Sequence, residues 1–221
     1  VEALLAAHQA GAAEKDSDGR LPLHRAAGNQ APMEVVEALL RAHEAGAAEK
    51  GSQGYLPLHW VVEKQASVKV VETLLRAHQA GAKEKDDGRL PLHRAAANKA
   101  SVEMVGALLR AYQAGVTEKD RKGFLPLHWA AATRAPVEVV ELLLQAHPVG
   151  AAEKNKDGNL PLQLAALSQA PVEVRRRRTG RAGCRCTGQL RIRHRWRWWR
   201  HCWRRTRPAR RRRTVMAGCR C

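Results

Sequence analysis

The sequence predicts an all-α solenoid of stacked helix-turn-helix units with short turn tips, followed by a disordered basic tail. Leu-Pro-Leu-His occurs at residues 21–24, 56–59, 90–93 and 125–128, and Leu-Pro-Leu-Gln follows at 160–163, so the spacing is 35, 34, 35 and 35. A fixed period of this size marks one supersecondary unit copied along a line, each unit burying its apolar face against the next. Between the signatures an apolar stripe at helical spacing appears, as in Val36, Leu39, Leu40 and His43. Composition then changes abruptly near residue 175, where acidic residues stop and arginine takes over.

Within each copy the elements follow in a set order. Gly19, Gly54, Gly88, Gly123 and Gly158 stand in polar clusters with two residues between each and the next Pro. Such a place needs a residue that tolerates positive φ, and it reads as a turn. Pro22, Pro57, Pro91, Pro126 and Pro161 suit the first helical position, where a missing N–H is harmless and φ is already set. Small residues such as Ala26 and Ala27 keep this first helix slim. A second helix opens at Pro32, Ser101 and Pro136, with Glu34 and Glu37 early and Arg41 late, in line with the macrodipole. Gly46, Gly81, Gly115 and Gly150 follow the second helices and are expected to form left-handed caps there.

The Asp-Gly-x-Leu-Pro-Leu-His-x-Ala-Ala and Glu-Val-Val-Glu-x-Leu-Leu blocks resemble the Thr-Pro-Leu-His-x-Ala and Val-Val-x-Leu-Leu signatures of ankyrin repeats, over residues 1 to about 174. Two departures stand out. Leu21, Leu56, Leu90, Leu125 and Leu160 replace the family's Thr, and the unit exceeds the usual ~33 residues. Loss of the Thr hydroxyl removes a helix cap worth about 1 kcal/mol, which extra apolar contact by Leu can offset. The expected units are a partial repeat at 1–15, repeats at 16–50, 51–85, 86–119 and 120–154, a truncated repeat at 155–174, and an Arg/Trp/Cys-rich tail at 175–221. The first segment reads as the middle of a second helix, so the chain is expected to be a fragment whose uncapped ends fray.

His24, His59, His93 and His128 invite a metal reading, but helices of neighbouring repeats lie about 8–10 Å apart and zinc holds nitrogen ligands at about 2.1 Å. A structural role is expected instead: the resemblance implies that each imidazole bonds the backbone of an adjoining turn, with Gln163 a partial substitute in the fifth copy. His8, His43, His78 and His147 form a second row where positive charge would meet a helix C-terminus.

The formal charge of +18 suggests nucleic acid or an anionic membrane as partner, but the charge is unevenly spread. Residues 175–221 carry 19 arginines and no acid, which leaves 20 Lys and Arg against 21 Asp and Glu, a net −1, in residues 1–174. All five cysteines and four of the six tryptophans lie in that tail, including the run Arg195-Trp-Arg-Trp-Trp-Arg200. The tail also keeps the 35-residue period: Arg175 to Thr179 recurs at 210–214, and Ala182-Gly-Cys-Arg-Cys recurs at 217–221. If Pro-Val-Glu-Val-Val-Glu-Ala-Leu-Leu is encoded CCG GTG GAG GTG GTG GAG GCA CTG CTG G, reading one base later gives Arg-Trp-Arg-Trp-Trp-Arg-His-Cys-Trp, which is residues 195–203. The tail is therefore expected to be repeat-coding sequence translated out of frame, following a junction between Val174 and Arg175. Its Cys184-x-Cys186 and Cys219-x-Cys221 pairs lack the usual Cys-x-x-Cys zinc spacing, and five cysteines leave one unpaired in any disulfide scheme.

Functionally the sequence points to a non-enzymatic protein-protein interaction scaffold. The resemblance implies a partner surface on turn tips and the exposed, concave side of the first helices. Residues there alternate: Arg20, Tyr55, Arg89, Phe124, Asn159 before Leu-Pro, and Arg25, Trp60, Arg94, Trp129, Leu164 after the signature His position. The expected partner-binding set is Arg20, Arg25, Tyr55, Trp60, Arg89, Arg94, Phe124 and Trp129, residue types enriched in interface hot spots; duplication of a two-repeat block would give the same alternation without a binding role. The alternative function is nucleic-acid or anionic-membrane binding through the tail. No nucleophile-base pair, phosphate loop or paired carboxylate stands out, so no enzyme activity, cofactor or metal is expected. No apolar run approaches the ~18 residues of a membrane span. A monomer, intracellular in the cytoplasm or nucleus, is expected.

Overall fold

The computed structural model describes residues 2–51 and 54–169. The expectations for the tail at 175–221, its reading frame and its binding chemistry, lie outside the described residues.

The described chain is helical, and its ten helices are of two alternating types. Helices of the first type are α2 (Pro22–Gly28), α4 (Pro57–Glu63), α6 (Pro91–Ala97), α8 (Pro126–Thr133) and α10 (Pro161–Gln169). Those of the second type are α1 (Glu2–Ala7), α3 (Met33–Ala42), α5 (Val68–Ala77), α7 (Val102–Ala111) and α9 (Val137–Ala146). Each second-type helix runs into a short 3-10 turn such as Glu44–Ala47 or Gln113–Val116. A first-type helix packs on the second-type helix of its own unit and on the first-type helix of the next, as α2 does on α3 and α4. One continuous apolar core results, through Val36, Val71, Val105 and Val139 of the second-type helices and Val61, Ala95 and Ala130 of the first.

The turns before the first-type helices have the predicted left-handed glycines, for example Gly19 at φ 66° and Gly123 at φ 76°. At Gly123 an added Cβ would also lie 2.8 Å from the Lys156 backbone nitrogen. The glycines after the second-type helices differ from expectation. Left-handed backbone falls instead at Gln30, Gln65, Lys99 and Arg134, just past the first-type helices. There the bonds Ala31 N–H to Ala26 O (3.0 Å), Ala66 to Val61 (3.0 Å), Ala100 to Ala95 (3.0 Å) and Ala135 to Ala130 (2.9 Å) close the last turn. Second-type helices end at His43, His78, Tyr112 and His147 with φ near −145°, for example −148° at His43 and −142° at His78. Gly46, Gly115 and their equivalents are needed for space: a Cβ on Gly46 would stand 2.9 Å from His43 Cδ2 and 3.2 Å from Leu21 Cδ1.

That contact accounts for the Leu substituted at the first four first-helix N-caps. Leu21, Leu56 and Leu125 are fully buried and Leu90 is 1 % exposed, each reaching the glycine of the following 3-10 turn. Full burial of a Leu side chain contributes about 1.5–3 kcal/mol, against about 1 kcal/mol for the missing hydroxyl cap.

Candidate functional site

The signature histidines tie consecutive units together. His24, His59, His93 and His128 are each 1 % exposed or less. In each, Nδ1 accepts the backbone N–H of the N-cap Leu: Leu21 and Leu56 at 3.1 Å, Leu90 at 3.3 Å and Leu125 at 3.1 Å. The proton therefore sits on Nε2, which donates to a carbonyl of the next turn: Tyr55 O (3.0 Å) from His24, Phe124 O (3.0 Å) from His93 and Asn159 O (3.3 Å) from His128. His59 faces the one turn shortened by a residue, where the spacing drops to 34, and it meets Glu84 O and Asp86 Oδ2 at 3.1 Å each. Burial holds all four imidazoles below their usual pKa of 6.5, in the neutral form this pattern needs. Gln163 Oε1 accepts Leu160 N–H at 2.8 Å, reproducing the local half of the motif.

The second row does more than face a helix end. His43 and His147 each bond the carboxylate six residues on, Glu49 and Glu153, at 2.8 Å, and Tyr112 takes this place with its hydroxyl on Glu118 at 3.0 Å. These three glutamates, and Glu84 as well, receive a lysine from the preceding unit: Lys15 to Glu49 (2.8 Å), Lys50 to Glu84 (2.7 Å), Lys85 to Glu118 (2.6 Å) and Lys119 to Glu153 (2.7 Å). The lysine bond is the foremost cause that lowers the pKa of each of these four carboxyls. Half-exposed pairs of this kind are each worth only about 0–1 kcal/mol.

Seven of the eight residues singled out in the sequence are brought together in stacks rather than left as separate points. The Arg20 guanidinium lies 4.8 Å from the Trp60 ring centre, Trp60 lies 5.3 Å from Tyr55, and Arg94 lies 4.5 Å over the opposite neighbour, Tyr55. The next pair of units repeats part of this: Arg89 sits 4.2 Å over Trp129, which is 5.0 Å from Phe124. Arg25 stands apart from the rings, exposed, with its guanidinium on Asp16 (2.7 Å) and Asp18 (3.0 Å). All of the others are partly buried.

Sequence reasoning missed the aspartates beneath these stacks. Asp86, 2 % exposed, holds Arg94 with both oxygens, and Arg94 also reaches Glu63 and the Tyr55 hydroxyl (2.6 Å). Asp120, 6 % exposed, accepts the Trp129 indole N–H at 3.0 Å while its other oxygen accepts Lys122 N–H (2.8 Å) and Phe124 N–H (2.9 Å) of the turn. The readable signal is an Asp eight or nine residues before the variable position: Asp16 for Arg25, Asp86 for Arg94, Asp120 for Trp129. Gly51 occupies this place ahead of Trp60, so that indole is held by stacking and by its approach to Gly28.

Among the described residues no group of three or more His, Cys, Asp or Glu side chains converges as a metal site, and no helix is long and apolar enough to cross a membrane. A stack of paired helices whose units are joined by buried histidines defines a helical-repeat scaffold. The family model described as ankyrin repeats (3 copies) matches residues 1–86, 66–155 and 92–175. The chain belongs to the ankyrin-repeat family, whose members are generally protein-protein interaction modules and typically non-enzymatic. No curated protein matches the chain.

Proposed function

We propose that this chain is a non-enzymatic scaffold that binds a partner protein through the turn tips and first-helix face formed by Arg20, Arg25, Tyr55, Trp60, Arg89, Arg94, Phe124 and Trp129. The observation that carries this reading is the ordered Arg20-Trp60-Tyr55-Arg94 stack, partly repeated as Arg89-Trp129-Phe124. Side chains already fixed by stacking and by buried carboxylates lose little rotamer freedom on binding, which favours their use as anchors. Flat apolar groups can cover the ring edges while carboxylates or carbonyls meet the free guanidinium N–H groups.

The test is panning of a randomised peptide library against the chain, followed by affinity measurement of the selected peptides on the variant carrying Trp60→Ala and Trp129→Ala. Loss of affinity of tenfold or more with unchanged helical circular dichroism is expected. Selected peptides that bind the double variant as tightly as the parent would refute this surface.

A further inference from the structure

Arg20 and Arg89 hold equivalent places two units apart. Each precedes Leu-Pro in its turn and lies over the tryptophan of the following unit, at 4.8 Å from Trp60 and 4.2 Å from Trp129. Their guanidinium groups differ from those of the other arginines of this surface in what they are bonded to. Arg94 is clamped by Asp86 and Glu63 with its side chain only 11 % exposed, and Arg25 has Asp16 at 2.7 Å and Asp18 at 3.0 Å. Arg20 meets Asp18 at 3.6 Å and Arg89 meets Asp120 at 3.7 Å, both beyond hydrogen-bond distance. Those carboxylates are committed elsewhere, Asp18 to Arg25 and Asp120 to the Trp129 indole and the Lys122 and Phe124 N–H groups. The side chains of Arg20 and Arg89, 20 % and 31 % exposed, are thus fixed by stacking and keep N–H groups for an outside acceptor.

The rings beside them select the same sign of partner. A guanidinium already lies over a face of Trp60, Tyr55 and Trp129, and the pairs Tyr55–Trp60 and Phe124–Trp129 lean on each other at 36°. With electron-rich faces taken up in this way, the rings offer a partner chiefly their positive edges. A cation would meet charge of its own sign, whereas a carboxylate meets a rigid two-pronged donor beside a ring edge of opposite sign.

Spacing sets the form of the partner. Neighbouring helices pack about 8–10 Å apart, so two units separate the two arginines by about 16–20 Å along the stack. An extended segment rises about 3.3 Å per residue and returns its side chains to one side at every second residue, so it covers this distance in about six residues. A helix, rising about 1.5 Å per residue, needs about 11–13 and is about 10–12 Å thick. Guanidinium groups this little exposed call for a backbone that runs close to the surface, which the thinner extended segment does.

We propose that the partner is an extended acidic peptide segment crossing the first-helix face, with two carboxylates about six residues apart, one held by Arg20 and the other by Arg89. This rests on the partner surface proposed above and gives its occupant a charge, a backbone form and a spacing.

Three fluorescent peptides of identical composition test this, each carrying two Glu-Phe pairs in a Gly/Ser background, with the glutamates roughly two, six or twelve positions apart. Fluorescence polarisation is measured on the full chain at 0.15 M salt, where the Debye length is about 8 Å. The 19 arginines of residues 175–221 attract an acidic peptide whatever its spacing, so the readout is the difference between the three. The six-spaced peptide should bind about tenfold tighter than either of the others, near the lower limit for a hydrogen bond to a charged group. Arg20→Gln and Arg89→Gln should each remove that advantage, with helical circular dichroism unchanged. Equal affinities for the three peptides, an advantage that survives both substitutions, or tightest binding at the helical spacing would each overturn the proposal. If none of the three binds while library-selected peptides still lose affinity on the variant carrying Trp60→Ala and Trp129→Ala, the surface stands and the acidic occupant falls.

Discussion

Replacing His93 at the centre of the stack separates the local from the bridging half of its role. The imidazole is fully buried, accepts Leu90 N–H at 3.3 Å and donates to Phe124 O at 3.0 Å. In His93→Ala the Leu90 N–H is stranded in the interior, at about 1–3 kcal/mol. Phe124 O keeps its bond from Asp120 N–H at 2.9 Å, so its loss is closer to the net value of one hydrogen bond, about 0.5–1.5 kcal/mol. Together these give roughly 1.5–4.5 kcal/mol before any cavity is counted. His93→Gln should lose only the second part, since Gln163 shows that a Gln oxygen at this position reaches the N-cap N–H at 2.8 Å. Urea unfolding followed by helical circular dichroism measures both, and a shifted midpoint at unchanged slope keeps the comparison within one transition. Equal losses for the Ala and Gln variants, or an Ala variant less than about 1 kcal/mol below the parent, would refute the division of roles drawn from the hydrogen bonds.

Two further outcomes follow from the packing and the charges. The four buried histidines have folded pKa values depressed by burial below 6.5, so the unfolded chain binds more protons: stability should be complete above about pH 6.5 and fall as pH drops toward the depressed values. Urea midpoints between pH 8 and pH 5 check this, above the range where carboxyls of ordinary pKa near 4.5 enter, and His93→Gln should flatten the slope; a midpoint independent of pH would contradict the neutral, buried assignment. Gly115→Ala should destabilise by about 1–3 kcal/mol through overpacking, because the new Cβ would lie 3.0 Å from Tyr112 Cδ1 and 3.3 Å from Leu90 Cδ1. A neutral or stabilising result in thermal unfolding would show that these side chains move aside without cost.

The scaffold was legible in the sequence because its determinants are local and repeated five times. Leu-Pro-Leu-His states an N-cap, a helix start and an internal hydrogen-bond acceptor within four residues, and the Val36-Leu39-Leu40 stripe states which face of the second helix is buried. The left-handed caps were misplaced because glycine has two uses. Its sequence context does not say whether a positive φ or a missing Cβ is required, and at Gly46 it is the approach of His43 and Leu21 that decides.

The alternation of Arg and aromatic residues was also visible, but what those residues touch was not. Arg20 and Trp60 belong to different units, and Arg94 meets Tyr55 across 39 positions, so their contacts arise only once the helices stack. By itself the sequence determined the repeat, the helix order and the histidine positions, since each depends on near neighbours along the chain, and its composition alone set the near-neutral charge of residues 1–174. The tertiary structure alone decided that the variable side chains form stacks on buried aspartates, because those interactions join residues that stacking, not sequence, makes adjacent.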